Sequence, residues 1–253
     1  LKNIHSPQGI IQRKRLKEVA CNNCGMYKLC KLAGLERNDS SLDSIVKRRI
    51  NISHAEYLYH AGDSFSGVFA VKSGLFKSIR YFEDGRQQIT DFHLPGELIG
   101  LEAIEEGVYL QSVIAVENSQ ACDMNYAAMK NQTNELLVFQ RNVIQALSRK
   151  VRLDQYQSLL TGAQNAEQRL AMFLISIFSR LQTHKMQTHN FRMPTRKDIA
   201  NYLGLAMETV GRILKCFEGN QLIKSKGRHM KLCNYSEIQK HTGLLQYGCQ
   251  FMP

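Results

Sequence analysis

The sequence predicts an α+β chain in three parts: an N-terminal antiparallel β-roll, a long central helix and a C-terminal winged helix-turn-helix. Three observations carry that prediction. Short β-branched and aromatic runs recur at close spacing between about residues 46 and 130, with glycine turns between them. From Asn134 the pattern changes to helix. The last third reads helix, turn, helix and then a short basic hairpin. At 253 residues the chain is long enough for two domains, and its 43% hydrophobic content supplies packed cores.

The roll is expected over residues 31–135, behind a basic arm and cysteine loop at 1–30. Val68-Phe69-Ala70-Val71, Phe76 to Tyr81 and Val113 to Val116 are its clearest strands. Gly62, Gly74, Asp84-Gly85 and Pro95-Gly96 mark its turns. Short antiparallel strands at this spacing close into a barrel or roll.

The central helix is expected over 136–164. Ile144, Leu147 and Val151 are spaced three and four apart, as in a coiled-coil seam, so a symmetric homodimer is expected. Asp154 falls next in that register. In the seam it would bring two like charges together across the two-fold axis, which is destabilising. Rotated outward, it would be an ordinary surface acid.

The C-terminal domain is expected over 165–253. Its first helix runs near Glu167 to Leu181. Thr195-Arg196-Lys197-Asp198 then opens a second helix, with Thr195 as cap and Asp198 at the positive end of the helix. Ile199, Ala200 and Leu203 form its apolar face, and Gly204 ends it. The next helix, from about Met207 to Glu218, puts Val210, Ile213, Leu214 and Phe217 on one side. Glu208, Gly211, Arg212 and Lys215 fall on the other. Such a polar face near a helix N-terminus suits base edges: Arg grips guanine O6 and N7, and Glu accepts from the cytosine amino group. Lys226, Arg228 and Lys231 around Gly227 suit a wing touching phosphates. A helical hairpin with a solvated face is the plainer alternative. The formal net charge of +11 agrees with a polyanionic partner, although charge alone is weak evidence.

Seven cysteines stand at 21, 24, 30, 122, 216, 233 and 249. An odd number in a reducing compartment argues against a disulfide framework. Cys21-x2-Cys24-x5-Cys30 places three thiols on one short loop, at little loop-closure cost. A four-thiolate site needs one more from elsewhere, and Cys122 is the candidate. Spacing leaves structural zinc and an iron–sulfur cluster equally open. Cys216 and Cys233 read as packing residues and Cys249 as a tail thiol.

Other classes are excluded or disfavoured. There is no P-loop, no dinucleotide fingerprint and no nucleophile–base constellation, so an enzyme is not expected. No run reaches the roughly 18 apolar residues of a membrane span. Residues 1–18 lack the apolar stretch of a signal peptide, so a cytoplasmic location without a membrane partner is expected.

Two segments bring a resemblance. Asp198 to Leu205 followed by Glu208-Thr209-Val210-Gly211-Arg212-Ile213-Leu214 closely resembles the helix-turn-helix of the CRP/FNR regulators. Asn165-Ala166-Glu167-Gln168-Arg169-Leu170-Ala171 resembles the start of that family's DNA-binding domain. The resemblance spans nearly the whole chain and implies a cupin-like jelly roll, a dimerisation helix and a pseudo-palindromic double-stranded DNA operator. Cys21, Cys24, Cys30 and Cys122 match the motif of the FNR branch, which implies a [4Fe–4S] cluster, oxygen sensing and control of anaerobic gene expression through cluster-dependent dimerisation. Nitric oxide, another small effector or static zinc are the alternative signals. The resemblance places Asp154 in the seam, and likens the Asp84-Gly85 loop to a surface that contacts RNA polymerase; a simple hairpin turn reads the loop equally well. Departures are instructive. Gly211 resembles the CRP branch, but Met207 stands where CRP proteins carry Arg; the shared Glu208 and Arg212 imply the family's common guanine–adenine step and leave the outer bases open. Ala206 replaces the usual Ser or Thr cap. Ser112 and Val113 occupy the positions of the Arg-Ser pair that holds a cyclic nucleotide phosphate in CRP proteins. No cyclic nucleotide is therefore expected, since a buried phosphodiester needs a cation.

Overall fold

The computed structural model describes residues 46–124, 144–145, 147–148, 150–152, 154–155, 158, 165–183 and 191–242. The arm, Cys21, Cys24, Cys30 and Cys249 lie outside them.

The roll is two four-stranded antiparallel sheets. The first runs in the order β1 (Val46–Ile52), β8 (Ser119–Met124), β3 (Val68–Ser73), β6 (Leu98–Ile99). The second runs β2 (Tyr57–Tyr59), β7 (Ser112–Ala115), β4 (Phe76–Tyr81), β5 (Gln87–His93). A single-turn helix, α1 (Ala103–Glu106), lies between β6 and β7. Side chains alternate across each strand. The inward set, including Ile50, Ile52, Tyr59, Phe69, Val71, Phe76, Val113 and Ala121, forms the roll interior. Tyr59 and Tyr109 stack there with ring centroids 3.8 Å apart. Gly74 turns β3 into β4 at φ +84°, where a Cβ would collide with the Ser119 hydroxyl, so the tight turn admits no side chain.

Every described position from 144 to 158 is helical. The C-terminal domain follows as α2 (Ala166–Thr183), α3 (Arg196–Leu203), α4 (Met207–Gly219), the hairpin β9 (Ile223–Lys226) and β10 (His229–Leu232), and α5 (Tyr235–Lys240). The predicted α+β class and the roll, helix and winged helix-turn-helix order are all present. The helix predicted from Glu167 begins one residue earlier, because Asn165 closes a capping box. Its Oδ1 accepts from the Gln168 N–H at 2.9 Å, and the Gln168 Oε1 accepts from the Asn165 N–H at 3.0 Å.

One hydrophobic cluster runs from the roll into the C-terminal domain. Leu75, Ile79, Ile89, Phe92, Leu94 and Val116 join Leu170, Phe173, Ile199, Leu203 and Phe217 in it. Phe92 lies 5.8 Å from Phe173 and 5.2 Å from Tyr202, centroid to centroid. The outer face of the second sheet is thus buried by α2 and α3 rather than left to water.

Polar groups fix this docking. Arg180 grips Glu97 bidentately, Nε to Oε1 at 2.7 Å and Nη2 to Oε2 at 2.6 Å, and also donates to the Phe92 carbonyl. Lys77 Nζ meets Asp198 Oδ1 at 2.7 Å. Asn201 completes the free edge of β5: it accepts from the Ile89 N–H at 2.6 Å and donates to the Gln87 carbonyl at 2.8 Å. An edge strand with unpaired amides is a liability, and this side chain covers it.

Candidate functional site

The helix-turn-helix is built as its residues dictate. Thr195 caps α3, its Oγ1 accepting from the Asp198 N–H at 3.0 Å. Gly204 ends the helix in the left-handed region at φ 64°, where glycine carries no steric penalty. In α4, Val210, Ile213, Leu214 and Phe217 are buried against the domain core. Their burial leaves Met207, Glu208, Arg212 and Lys215 exposed on the opposite face. Ala206 makes no side-chain cap to α4, so the first amides of that helix keep their donors.

Gly211 sits between Glu208 and Arg212 on that face. A Cβ there would lie 3.9 Å from the Arg196 guanidinium, so Arg196 leans over the start of α4. Arg196, at the start of α3 beside Thr195, is thereby brought next to the α4 face that carries Glu208, Gly211 and Arg212. The wing turns at Gly227, φ +65°, and exposes Lys224, Lys226 and Lys231.

Arg228 is placed differently from its wing neighbours. It is half-buried, and its Nε donates to the Met193 carbonyl at 2.9 Å. Burial and nearby Arg192 lower its affinity for a proton, while Glu117 on the roll counteracts them. This guanidinium fastens the wing to the segment before α3. Lys224, which spacing alone did not single out, is exposed in its stead.

Cys122 lies within β8. Ala121 beside it is fully buried in the roll interior, so Cys122 occupies the opposite, outer face, where it is half-buried. Its register partners are Arg49 on β1 and Ala70 on β3. Cross-strand partners stand about 5 Å apart, so a cation and a small residue flank the thiol. Among the described residues no three His, Cys, Asp or Glu side chains converge as a metal site; the cysteine loop that would supply the remaining ligands falls outside them. A thiol on an outer strand face fits a ligand set completed by another segment of the chain.

The residues of the expected seam are exposed within the single chain. Ile144 is 64% exposed, Leu147 39% and Val151 55%. Asp154 is exposed as well, with Lys150 at 3.0 Å.

Around Lys150, Asp91, His93, Glu97, Arg180 and Tyr202 form a polar cluster at the meeting of roll, central helix and α2. Burial would raise the Asp91 carboxyl, but Lys150, His93 and Arg180 together hold it at about 2. Glu97 is likewise held below the usual carboxylate range, against its burial, by Arg180 and the Leu94 amide. Nothing local in the sequence marks these residues as a cluster.

Comparison with known proteins agrees with this architecture. Residues 49–135 match the family described as the cyclic nucleotide-binding domain, and residues 168–240 match the Crp-like helix-turn-helix domain. The chain is 34% identical over 230 residues to the transcriptional activator protein anr of Pseudomonas aeruginosa, spanning 90% of this chain and 94% of that protein. It is 31% identical over 227 residues to the fumarate and nitrate reduction regulatory protein of Escherichia coli K12, spanning 89% and 91%. Among solved structures, FixK2 from Bradyrhizobium japonicum shares the fold with a TM-score of 0.68 at 23% identity, covering 78% of this chain and 98% of that one. No helix among the described residues is long and apolar enough to cross a membrane. With a roll matching one family domain, a helix-turn-helix matching the other, and near full-length relatives that are transcription regulators rather than enzymes, the chain belongs to the CRP/FNR family of DNA-binding transcription regulators, in its FNR branch.

Proposed function

We propose that this regulator senses oxygen through a [4Fe–4S] cluster held by Cys21, Cys24, Cys30 and Cys122, and controls anaerobic gene expression as a cluster-dependent homodimer in the cytoplasm. The observation that carries the reading is Cys122 on the outer face of β8, in a chain that also has the Cys21-x2-Cys24-x5-Cys30 loop. When bound, such a cluster supplies an oxygen-labile redox centre. The names of its relatives point the same way: they include an anaerobic regulatory protein of Haemophilus influenzae, 31% identical over 227 residues.

The test is metal analysis of protein purified without oxygen. About four irons and four sulfides per chain, with an absorption spectrum that collapses in air, support the reading. One zinc per chain, unchanged by air, overturns the sensing and leaves DNA binding standing. A cluster that collapses with nitric oxide but survives air assigns a different signal to the same site.

DNA reading falls to the exposed face of α4. In this reading Arg212 holds a guanine, Glu208 a cytosine amino group, and Lys215, Lys224 and Lys226 the phosphates. Arg212→Ala is expected to weaken specific operator binding by about 1–3 kcal/mol and to relax preference at one base pair. Lys226→Ala should instead weaken all sequences alike and reduce the salt slope. Titration of fluorescent operator and scrambled duplexes at two salt concentrations separates the two.

Two half-sites about 34 Å apart call for a two-fold dimer, and the stripe of Ile144, Leu147 and Val151 is the surface for it. Asp154 at the end of that stripe opposes pairing by like-charge repulsion. Asp154→Ala is expected to dimerise in air, read by sedimentation velocity; an air-exposed variant that stays monomeric removes Asp154 from the switch.

Cyclic nucleotide control is not part of this reading. The Glu97 carboxylate, next to the Pro95-Gly96 turn, is taken by Arg180. Where a phosphate would need a cation, buried Ser112 accepts from the Ala61 N–H at 2.9 Å and Val113 is fully buried in the roll. RNA polymerase is the remaining expected partner, at the β4–β5 hairpin. There Phe82 is 48% exposed, and Arg86 lies over its ring while pairing with Asp84.

A further inference from the structure

We propose that Lys150 is the counterion that sets how strongly Asp154 opposes dimerisation, because it ties that carboxylate to the buried Asp91 of the roll. The proposal rests on the reading that Asp154 lies in the dimer seam. One ammonium makes both contacts: Lys150 Nζ lies 2.5 Å from Asp91 Oδ2 and 3.0 Å from Asp154 Oδ1. The two carboxylates differ in setting, with side-chain exposures of 11% for Asp91 and 52% for Asp154.

That difference assigns the roles. A surface lysine paired four residues along a helix normally contributes little, because its long side chain must be ordered for a screened contact. Asp91 removes that penalty. Its carboxylate is buried on β5 and needs a cation, so Lys150 is already held in place before Asp154 is considered. Asp154 therefore meets a fixed ammonium rather than a mobile one.

Register places this ammonium at the edge of the seam. With Ile144, Leu147, Val151 and Asp154 at alternating a and d positions, Lys150 falls at g, which flanks a coiled-coil interface without filling it. When two chains pair, Asp154 loses water and its attraction to a charge 3.0 Å away grows as the local dielectric falls. Two-fold symmetry then brings two carboxylates and two ammoniums to the axis, not two bare carboxylates. The repulsion is graded by an ion pair anchored in the sensory roll, so a shift of β5 against the central helix changes the charge felt at the seam.

The experiment is a double-mutant cycle on the full-length chain, with monomer–dimer dissociation constants from sedimentation equilibrium on anaerobically prepared protein. Lys150→Met is expected to weaken dimerisation at least tenfold in the otherwise unchanged chain and less than threefold in the Asp154→Ala chain. Lys150→Arg should stay within threefold of the parent. Because Lys150→Met strands the buried Asp91, near-UV circular dichroism checks that each monomer is folded; with Asp91→Asn in every chain the anchor is gone, and the effect of Lys150→Met is expected to fall below threefold in both backgrounds. With Asp91 intact, equal losses in both backgrounds overturn the proposal and leave Lys150 as a packing residue. An Asp154→Ala chain that dimerises no better than its parent overturns the seam reading and this proposal with it.

Discussion

Arg180→Met is expected to lower the stability of the docked roll and C-terminal domain by about 3–5 kcal/mol, because it strands a buried carboxylate. The guanidinium and the Glu97 carboxylate are only 13% and 18% exposed in their side chains, and they meet in a two-bond fork at 2.6 Å and 2.7 Å. Removing the cation leaves the Glu97 carboxylate buried, accepting from the Leu94 amide at 2.8 Å. Urea denaturation followed by tyrosine fluorescence measures the loss. The Arg180→Met, Glu97→Gln double variant should recover a large part of it, since no unpaired buried charge then remains. A loss of under 1 kcal/mol would mean that water reaches the pair and that apolar packing around Phe92 alone holds the domains together.

The sign of the pH dependence follows. Asp91 is held at about 2 and Glu97 is also depressed in the folded chain. A carboxylate with a lowered folded value binds fewer protons than in the unfolded chain. Its contribution is therefore complete above about pH 4, the ordinary carboxylate range, and is lost as pH falls through the depressed values. Acid should part the two domains before it unfolds the roll interior, whose inward set is apolar apart from its tyrosines.

Cys122→Ser is the second large effect expected. A hydroxyl is a poor substitute for a thiolate toward iron, so anaerobic protein should fall from about four irons per chain to nearly none. Operator affinity should fall by at least about a hundredfold, as expected if only the dimer spans both half-sites. The fold should survive, because Cys122 occupies the outer face of β8 while the buried Ala121 keeps its place in the interior. Retention of four irons in this variant would move the fourth ligand to another residue. Retention of tight operator binding without iron would separate DNA reading from the cluster.

Much of the chain was legible before any tertiary contact was considered. The helix pair was readable because its signals are local. Thr195 and Asp198 are three residues apart, Gly204 ends α3, and the buried face of α4 repeats at the helical period. The roll strands at 68, 76 and 112 were readable from the same short-range logic of alternation and glycine turns. The three-cysteine loop needed nothing but spacing, and its matching cysteine could be named, although the segment carrying the loop lies outside the described residues.

The docking of the two domains was not legible. Arg180 and Glu97 are 83 residues apart, Asn201 and Ile89 112, and Lys77 and Asp198 121. Arg180, Glu97, Asn201 and Lys77 read locally as solvated polar residues, since a side chain's partner leaves no mark on its neighbours in sequence. Arg228 shows the same limit from the other side: by spacing it is a wing cation, and only the approach of the Met193 carbonyl turns it inward. Lys150 adds a third case, a helix-surface lysine whose second carboxylate lies 59 residues away on the roll. By itself, then, the sequence determined the elements, their caps, the exposed polar face of α4 and the three-cysteine spacing, because periodicity, capping and spacing act within a few residues. The tertiary structure alone decided which charges are buried and paired, because burial is a property of surfaces brought together from distant parts of the chain.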